Sequence, residues 1–340
     1  MLRRFVNSIG LWYLYFPHMA LLRFMGPRCA ILVTRGTSFV HWLVTFAAAR
    51  GRVRRGMEQV IPKIRPDLSV NSVLRKYVVI KQQHFVQWQL SPTVRGRRFA
   101  QQICDQLEGR QHLDAAIKNG RGVIIAFFHF GMARTNIAAL ELNGYDAHIH
   151  EVPDVRYAGR CYGFVARAVV KRENEVKEAI IRKRLFHSPM GTFKASVDLL
   201  RRNSIVVLMA DGMVASRFVE VPFLKGTTPF STGLARLAAE TGAPIICLFS
   251  LLEGLTRHRF VIHPPVYCSD DSPASIEATV RTYAGIFEGY VRQYPWAWWS
   301  WRRVEVEQGA DGKIRFILMD VPTKETDSTP QKKPVGDGMQ

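Results

Sequence analysis

Hydrophobic residues along this chain fall into two patterns. The first is a continuous apolar run bounded by polar or turn residues: RGVIIAFF (121–128), NSIVVLMAD (203–211) and APIICLFSLL (243–252). A run without polar alternation predicts a strand covered on both faces, as in a parallel sheet. The second pattern places apolar residues three and four apart, along one side of a helix. Residues 56–118 carry it, most plainly in RRFAQQICDQLEGRQHLDAAIKNG, and read as helical up to a stop at Gly120. STGLARLAAETG repeats it just before the third run, and MARTNIAALEL follows the first. Strand and helix alternate, so the predicted fold is α/β, with a central largely parallel or mixed sheet flanked by helices. In KRENEVKEAIIRKR (171–184), Glu173 with Lys177 and Glu178 with Arg182 stand at i,i+4, which predicts a solvated helix face.

The amino end is different. MLRRFVNSIGLWYLYFPHMALLRFMG is basic and then apolar, but Pro17, His18 and Arg23 interrupt it before the ~20 apolar residues of a spanning helix. ILVTRGTSFVHWLVTFAAA is broken in the same way by Arg35 and His41. Trp12, Tyr13, Tyr15 and Trp42 favour a headgroup zone, and RGRVRR (Arg50 to Arg55) follows at once. The expectation is interfacial anchoring on a cytoplasmic leaflet, with a buried pair of core helices as the alternative. No small-x-small cleavage site follows the apolar run, so a cleaved signal peptide is not expected. Three regions result: 1–50, an N-terminal membrane-anchoring helical region; 51–321, an α/β domain; and 322–340, a tail with too few apolar residues to fold.

Charge sharpens this. Forty-seven Lys and Arg against 28 Asp and Glu leave a net charge of +19, which points to a polyanionic partner. The 47% hydrophobic and 11% aromatic content, and the lack of any RNA-binding, zinc-finger or basic-zipper spacing, favour an anionic membrane surface over nucleic acid. Five scattered cysteines (Cys29, Cys104, Cys161, Cys247, Cys268) without a C-x-x-C pair suggest neither a disulfide framework nor a zinc site, and fit a reducing, cytoplasm-facing location.

Candidate chemistry lies at the strand ends, where α/β sheets collect reactive groups. His129 follows the first apolar run and Asp211 ends the second, so parallel strands would put both on one rim. The helix after His129-Phe130-Gly131 could turn its first amides toward a developing anion. His148 and His150 share one side of a strand, and Glu151 and Asp154 could join them around a metal, though that spacing is more often incidental. No phosphate-binding loop, G-x-G-x-x-G or G-x-S-x-G is present. Of Trp296, Trp298, Trp299 and Trp301, about half are expected in the core and the rest at a bilayer surface or acyl groove.

GVIIAFFHFGM, the segment 206–242 with VPFLKG and TPFSTGLARLA, and YVRQYPWAWWSWRR (290–303) resemble three successive blocks of the lipid A late acyltransferase family, within the lysophospholipid acyltransferase superfamily. The similarity spans about residues 1–305. It implies a glycerolipid-acyltransferase-like fold and a membrane-associated enzyme on the cytoplasmic face of a bacterial inner membrane. The enzyme would move a fatty acyl chain from an acyl carrier protein or CoA thioester to a hydroxyl or amine of a lipid or glycolipid, without metal or cofactor. His129 would be the general base. The resemblance also makes Phe223 and Gly226, in a loop like the family's phenylalanine-glycine loop, and Arg156, after the second strand, candidate substrate-binding residues.

At one position the sequence departs from the family. A carboxylate is expected five residues after the histidine, and Arg134 stands there. An arginine cannot accept the imidazole proton. Three readings follow: another carboxylate orients His129, Asp211 first and then Glu151 or Asp154; His129 works alone; or catalysis is lost and the fold serves as a lipid- or partner-binding scaffold. Arg134 itself could grip a phosphate or carboxylate of the acceptor.

Overall fold

A computed structural model describes residues 2–45, 47–104, 107–151, 162–181, 183–186, 191–212, 215–308 and 314–318. The first part is helical: α1 (Leu2–Tyr13), α2 (Met19–Phe24), α3 (Pro27–Thr45), α4 (Ala47–Ile64), α5 (Val70–Leu90) and α6 (Val94–Cys104). Between α1 and α2 the helix widens to a π turn over Leu14–His18, where Pro17 has no N–H to give. Then follow β1 (Leu107–Glu108), α7 (Arg110–Lys118), β2 (Val123–Phe127), α8 (Ala133–Leu142), β3 (Ala147–Glu151), α9 (Gly163–Ile180), β4 (Lys183–Phe186), α10 (Gly191–Arg201) and β5 (Ile205–Met209). The chain continues through β6 (Phe218–Phe223), β7 (Gly226–Ser231), α11 (Gly233–Thr241), β8 (Ile245–Glu253), β9 (Arg257–Ile262), α12 (Pro273–Gln293), β10 (Val304–Gln308) and β11 (Ile314–Leu318).

Among the described residues one sheet has seven strands in the order β1-β9-β8-β2-β5-β3-β4. From β8 to β4 all neighbours are parallel, while β9 runs antiparallel to β8 and carries β1 on its outer edge. The three apolar runs are therefore β2, β5 and β8, adjacent at the centre of a mixed sheet. Alternation splits β2 cleanly. Ile124 and Ala126 join a core with α4, α5, α11 and α12, whereas Val123, Ile125 and Phe127 join a second core with α7, α8 and α9. A strand buried on both sides has no use for polar positions, which is why its sequence shows no alternation.

Turns at 65–69 and 91–93 divide the helical stretch 56–118, and a strand corrects it at one further place. Leu107 and Glu108 pair with Phe260 and Val261, and Gly109 turns the chain at a φ of 78°, with Ile262 O only 2.1 Å from where a Cβ would stand. A two-residue strand is too short to announce itself between two amphipathic helices. The solvated-face reading of 171–184 is also corrected for Glu173, which is fully buried in α9.

No helix among the described residues is long and apolar enough to cross a membrane. The N-terminal helices have two apolar sides. Inward, Leu14 and Tyr15 pack on Val165 and Val169, and Met19, Leu22 and Ala30 pack on Val86 and Leu90. Outward, Phe5, Ile9, Trp12, Leu21, Phe24, Leu32, Phe39 and Val40 are exposed. Trp12 and Tyr13 sit on that outer side; Tyr15 and Trp42 do not, being buried against α9 and Tyr77. Residues 319–340, which contain the tail, lie outside the described residues.

Candidate active site

Register builds the site. β2 and β5 pair from Val123↔Ile205 to Phe127↔Met209, so continuing two residues sets His129 beside Asp211. The Ala210 N–H donates to Phe127 O at 2.7 Å and prolongs the ladder into the turn. Asp211 then receives His129 three ways. Its Oδ1 lies 2.9 Å from the ring Nδ1, and its two oxygens accept the His129 backbone N–H at 3.0 and 3.1 Å. A carboxylate that accepts from Nδ1 fixes the tautomer with a lone pair on Nε2, and Nε2 has no hydrogen-bond partner among the described residues. The Asp211 side chain is 1% exposed while the imidazole is 27% exposed. The acid is sealed in, and the ring can be reached.

The loop after His129 is held rigidly. Gly131 has a φ of 57°, and a Cβ there would stand 1.9 Å from Ser250 O. Only glycine lets the chain pass β8 this closely. The Gly131 N–H donates to Ala297 O, and Trp299 donates its backbone N–H to His129 O and its indole N–H to Gly131 O. Trp298 and Trp301 are buried, Trp296 and Trp299 half-buried, which matches the even split expected of the cluster.

Three of the amides at the start of α8, expected to face a developing anion, are turned inward instead. Met132 N–H donates to Ser250 O, Arg134 N–H to His84 Nε2 and Thr135 N–H to Met132 O, so these donors are already engaged inside the protein. His84 must keep Nε2 unprotonated to accept. Burial first, and the nearby Arg134, Lys81 and His258 next, hold its pKa well below the ordinary histidine range.

Arg134 reaches a different carboxylate. Its Nη1 lies 3.0 Å from Glu173 Oε2, and the other Glu173 oxygen accepts from Tyr15 OH and Gln89 Nε2, both at 2.8 Å. The guanidinium also stands 5.1 Å from the Trp88 ring centre. This hub joins α8, α9, α5 and the π turn. The charge spacing concealed Glu173; the one signal in the amphipathic pattern was its position on the α9 side that carries Val169 and Val176, both fully buried.

Phe223 and Gly226 flank the two-residue turn of the β6–β7 hairpin, with Leu224 and Lys225 at φ 51° and 68°. Phe223 is buried against Phe230, Phe287 and Trp298, so it packs behind the His129 loop and does not share its surface. Arg156, Asp154 and the Glu151 side chain lie outside the described residues. His148 and His150 stand two apart on β3 and share one face, and among the described residues no three His, Cys, Asp or Glu side chains are grouped for a metal.

Comparison with known proteins accords with this geometry. The chain is 28% identical over 207 residues to phosphatidylinositol mannoside acyltransferases from two strains of Mycobacterium tuberculosis, which covers 61% of this chain and 62% of theirs. The profile of the bacterial lipid A biosynthesis acyltransferases matches residues 3–303, from α1 through the tryptophan cluster. With its sheet, its rim histidine and nearly its whole length within that match, the chain belongs to the bacterial lipid A biosynthesis acyltransferase family.

Proposed function

We propose that this protein is a membrane-associated acyltransferase in which His129 is the general base and Asp211 its orienting acid. The observation that carries the reading is the 2.9 Å contact between Nδ1 and Asp211 Oδ1, with Nε2 open at the rim. In the proposed step Nε2 takes the proton of the acceptor hydroxyl or amine while that atom attacks the thioester carbonyl of an acyl carrier protein or CoA donor. The carbon–sulfur bond breaks, and the imidazolium returns its proton to the leaving thiolate. The buried Asp211 carboxylate stabilises the imidazolium between the two transfers.

The acceptor is a lipid or glycolipid, and the name of the mycobacterial relatives makes a phosphatidylinositol mannoside the first to try. The exposed apolar side of the N-terminal helices and the +19 charge support residence on an anionic membrane, on the cytoplasmic face of a bacterial inner membrane. Arg156 is proposed as an acceptor contact on the family resemblance. Any grip of Arg134 on an acceptor anion would use the N–H groups not turned toward Glu173. Phe223 and Gly226 would act by shaping the wall behind Trp298.

Transfer of a radiolabelled acyl group, compared between wild type and His129→Ala, tests the reading. Label should pass to lipid only with the wild type. Equal incorporation by both removes His129 from the mechanism, and none by either leaves the scaffold reading in its place.

A further inference from the structure

A groove of about 370 Å³ opens where α3, α5 and the turn after β8 meet. Its floor is apolar, formed by Val79, Ile80, Leu252 and Trp296, and its rim holds Arg35, Arg75 and Lys76. No carboxylate among the described residues pairs with any of the three. The rim is nevertheless built. Arg35 donates to Gly254 O at 2.8 Å, the buried Gln83 donates to Leu255 O at 2.8 Å, and Lys76 lies 4.0 Å over the Trp296 ring. Three unneutralised cations around an apolar trough fit one chemistry, an anion joined to a hydrophobic arm.

Position selects the source of that anion. On α3, Arg35 is three residues after Leu32 and four before Phe39, so all three share a side, and both apolar residues are 54% exposed. The groove thus opens onto the same apolar side that the membrane reading turns toward lipid. It is also on the rim of the catalytic histidine: Leu252 lies two residues beyond Ser250, whose carbonyl meets the Met132 N–H.

We infer that this groove is a binding site for the phosphate of an anionic phospholipid, with Arg35, Arg75 and Lys76 on the phosphate and the first methylenes over Leu252 and Trp296. The inference rests on the membrane reading above and adds a discrete lipid site beside the catalytic one. Such a site would set the depth and tilt at which His129 meets an acceptor in the bilayer.

The full chain is titrated by calorimetry with dihexanoylphosphatidylglycerol below its micelle concentration, with dihexanoylphosphatidylcholine and 4′-phosphopantetheine in parallel. Phosphatidylglycerol should bind, phosphatidylcholine at least roughly tenfold more weakly, and affinity should fall as salt rises. Arg75→Gln with Lys76→Gln, and separately Arg35→Gln, should weaken binding about tenfold or more. Arg281→Gln, on the outer side of α12, and His129→Ala should bind as wild type. Equal affinity of the rim variants, or no preference for the anionic lipid, overturns the inference. So does tighter binding of phosphopantetheine that those variants abolish, which would give the groove to the acyl donor. Vesicle sedimentation separates the two readings: a protein that ignores vesicles yet binds the short-chain lipid loses the membrane reading and keeps the site.

Discussion

Asp211 does two jobs for His129, holding the ring through Nδ1 and the backbone through its amide, and an amide side chain can do only part of either. Asp211→Asn keeps the shape but can present N–H to Nδ1 and so fix the wrong tautomer. The expected loss is about ten-thousand-fold in kcat with KM little changed, measured by steady-state acyl transfer. A loss below tenfold would free His129 from Asp211. Arg134 sets a second test. Arg134→Glu installs the residue type that the family resemblance implies there but places a carboxylate against the buried Glu173. Removing the partner of a buried charge should lower unfolding stability by roughly 3–5 kcal/mol, and adding Glu173→Arg should recover much of it. Denaturant melts decide. A single variant as stable as wild type and more active would mark the native arginine as a defect in the site instead of a structural replacement.

At the scale of elements, the site depends on how closely β2 and β8 let the connecting loop pass. Gly131→Ala adds left-handed backbone strain to a contact with Ser250 O that has no room for a methyl group. It should destabilise by about 3 kcal/mol, and the His129–Asp211 contact should loosen with it, so kcat per folded molecule falls as well. The tie between the π turn and α9 is more local. Tyr15→Phe removes one donor from a buried carboxylate and should cost roughly 1.5–3 kcal/mol, seen as faster amide exchange in α1 and α9. The π turn meets α9 through Leu14, Tyr15, Val165 and Val169, so a small cluster bears on the whole N-terminal arrangement.

For the whole molecule, two buried imidazoles make stability depend on pH. Burial holds His258 down to about 4, and His84 lies well below its ordinary value for the reasons given above. In the unfolded chain both take a proton near 6.5, so between that value and about 4 the unfolded state binds more protons. Stability should therefore be full above pH 7 and fall on acidification, by roughly 3 kcal/mol from His258 alone by pH 4. His258→Gln should flatten that part of the curve in urea melts at stepped pH. The proposed membrane attachment would also be a property of the whole surface. Phe24 and Phe39 are 85% and 54% exposed, and Phe24→Ser with Phe39→Ser should lower vesicle partitioning about a hundredfold while leaving the melting curve unchanged.

By itself, the sequence determined the central strands, the α/β alternation and the rim position of His129 and Asp211, because a strand buried on both sides must be apolar throughout and must end where the chain turns out to solvent. Burial of about half the tryptophans was expected, but not which two. Which strand lies beside which was not legible, and that adjacency turned Asp211 from one carboxylate among several into the partner of His129. Glu173 was hidden because i,i+4 charge spacing looks the same whether a helix faces water or a buried arginine. The β1 pairing and the engagement of the Met132 and Arg134 amides were likewise invisible, since each depends on a residue fifty or more positions away. Local pattern reports which side of an element is apolar; only packing in three dimensions decides which atom each residue meets.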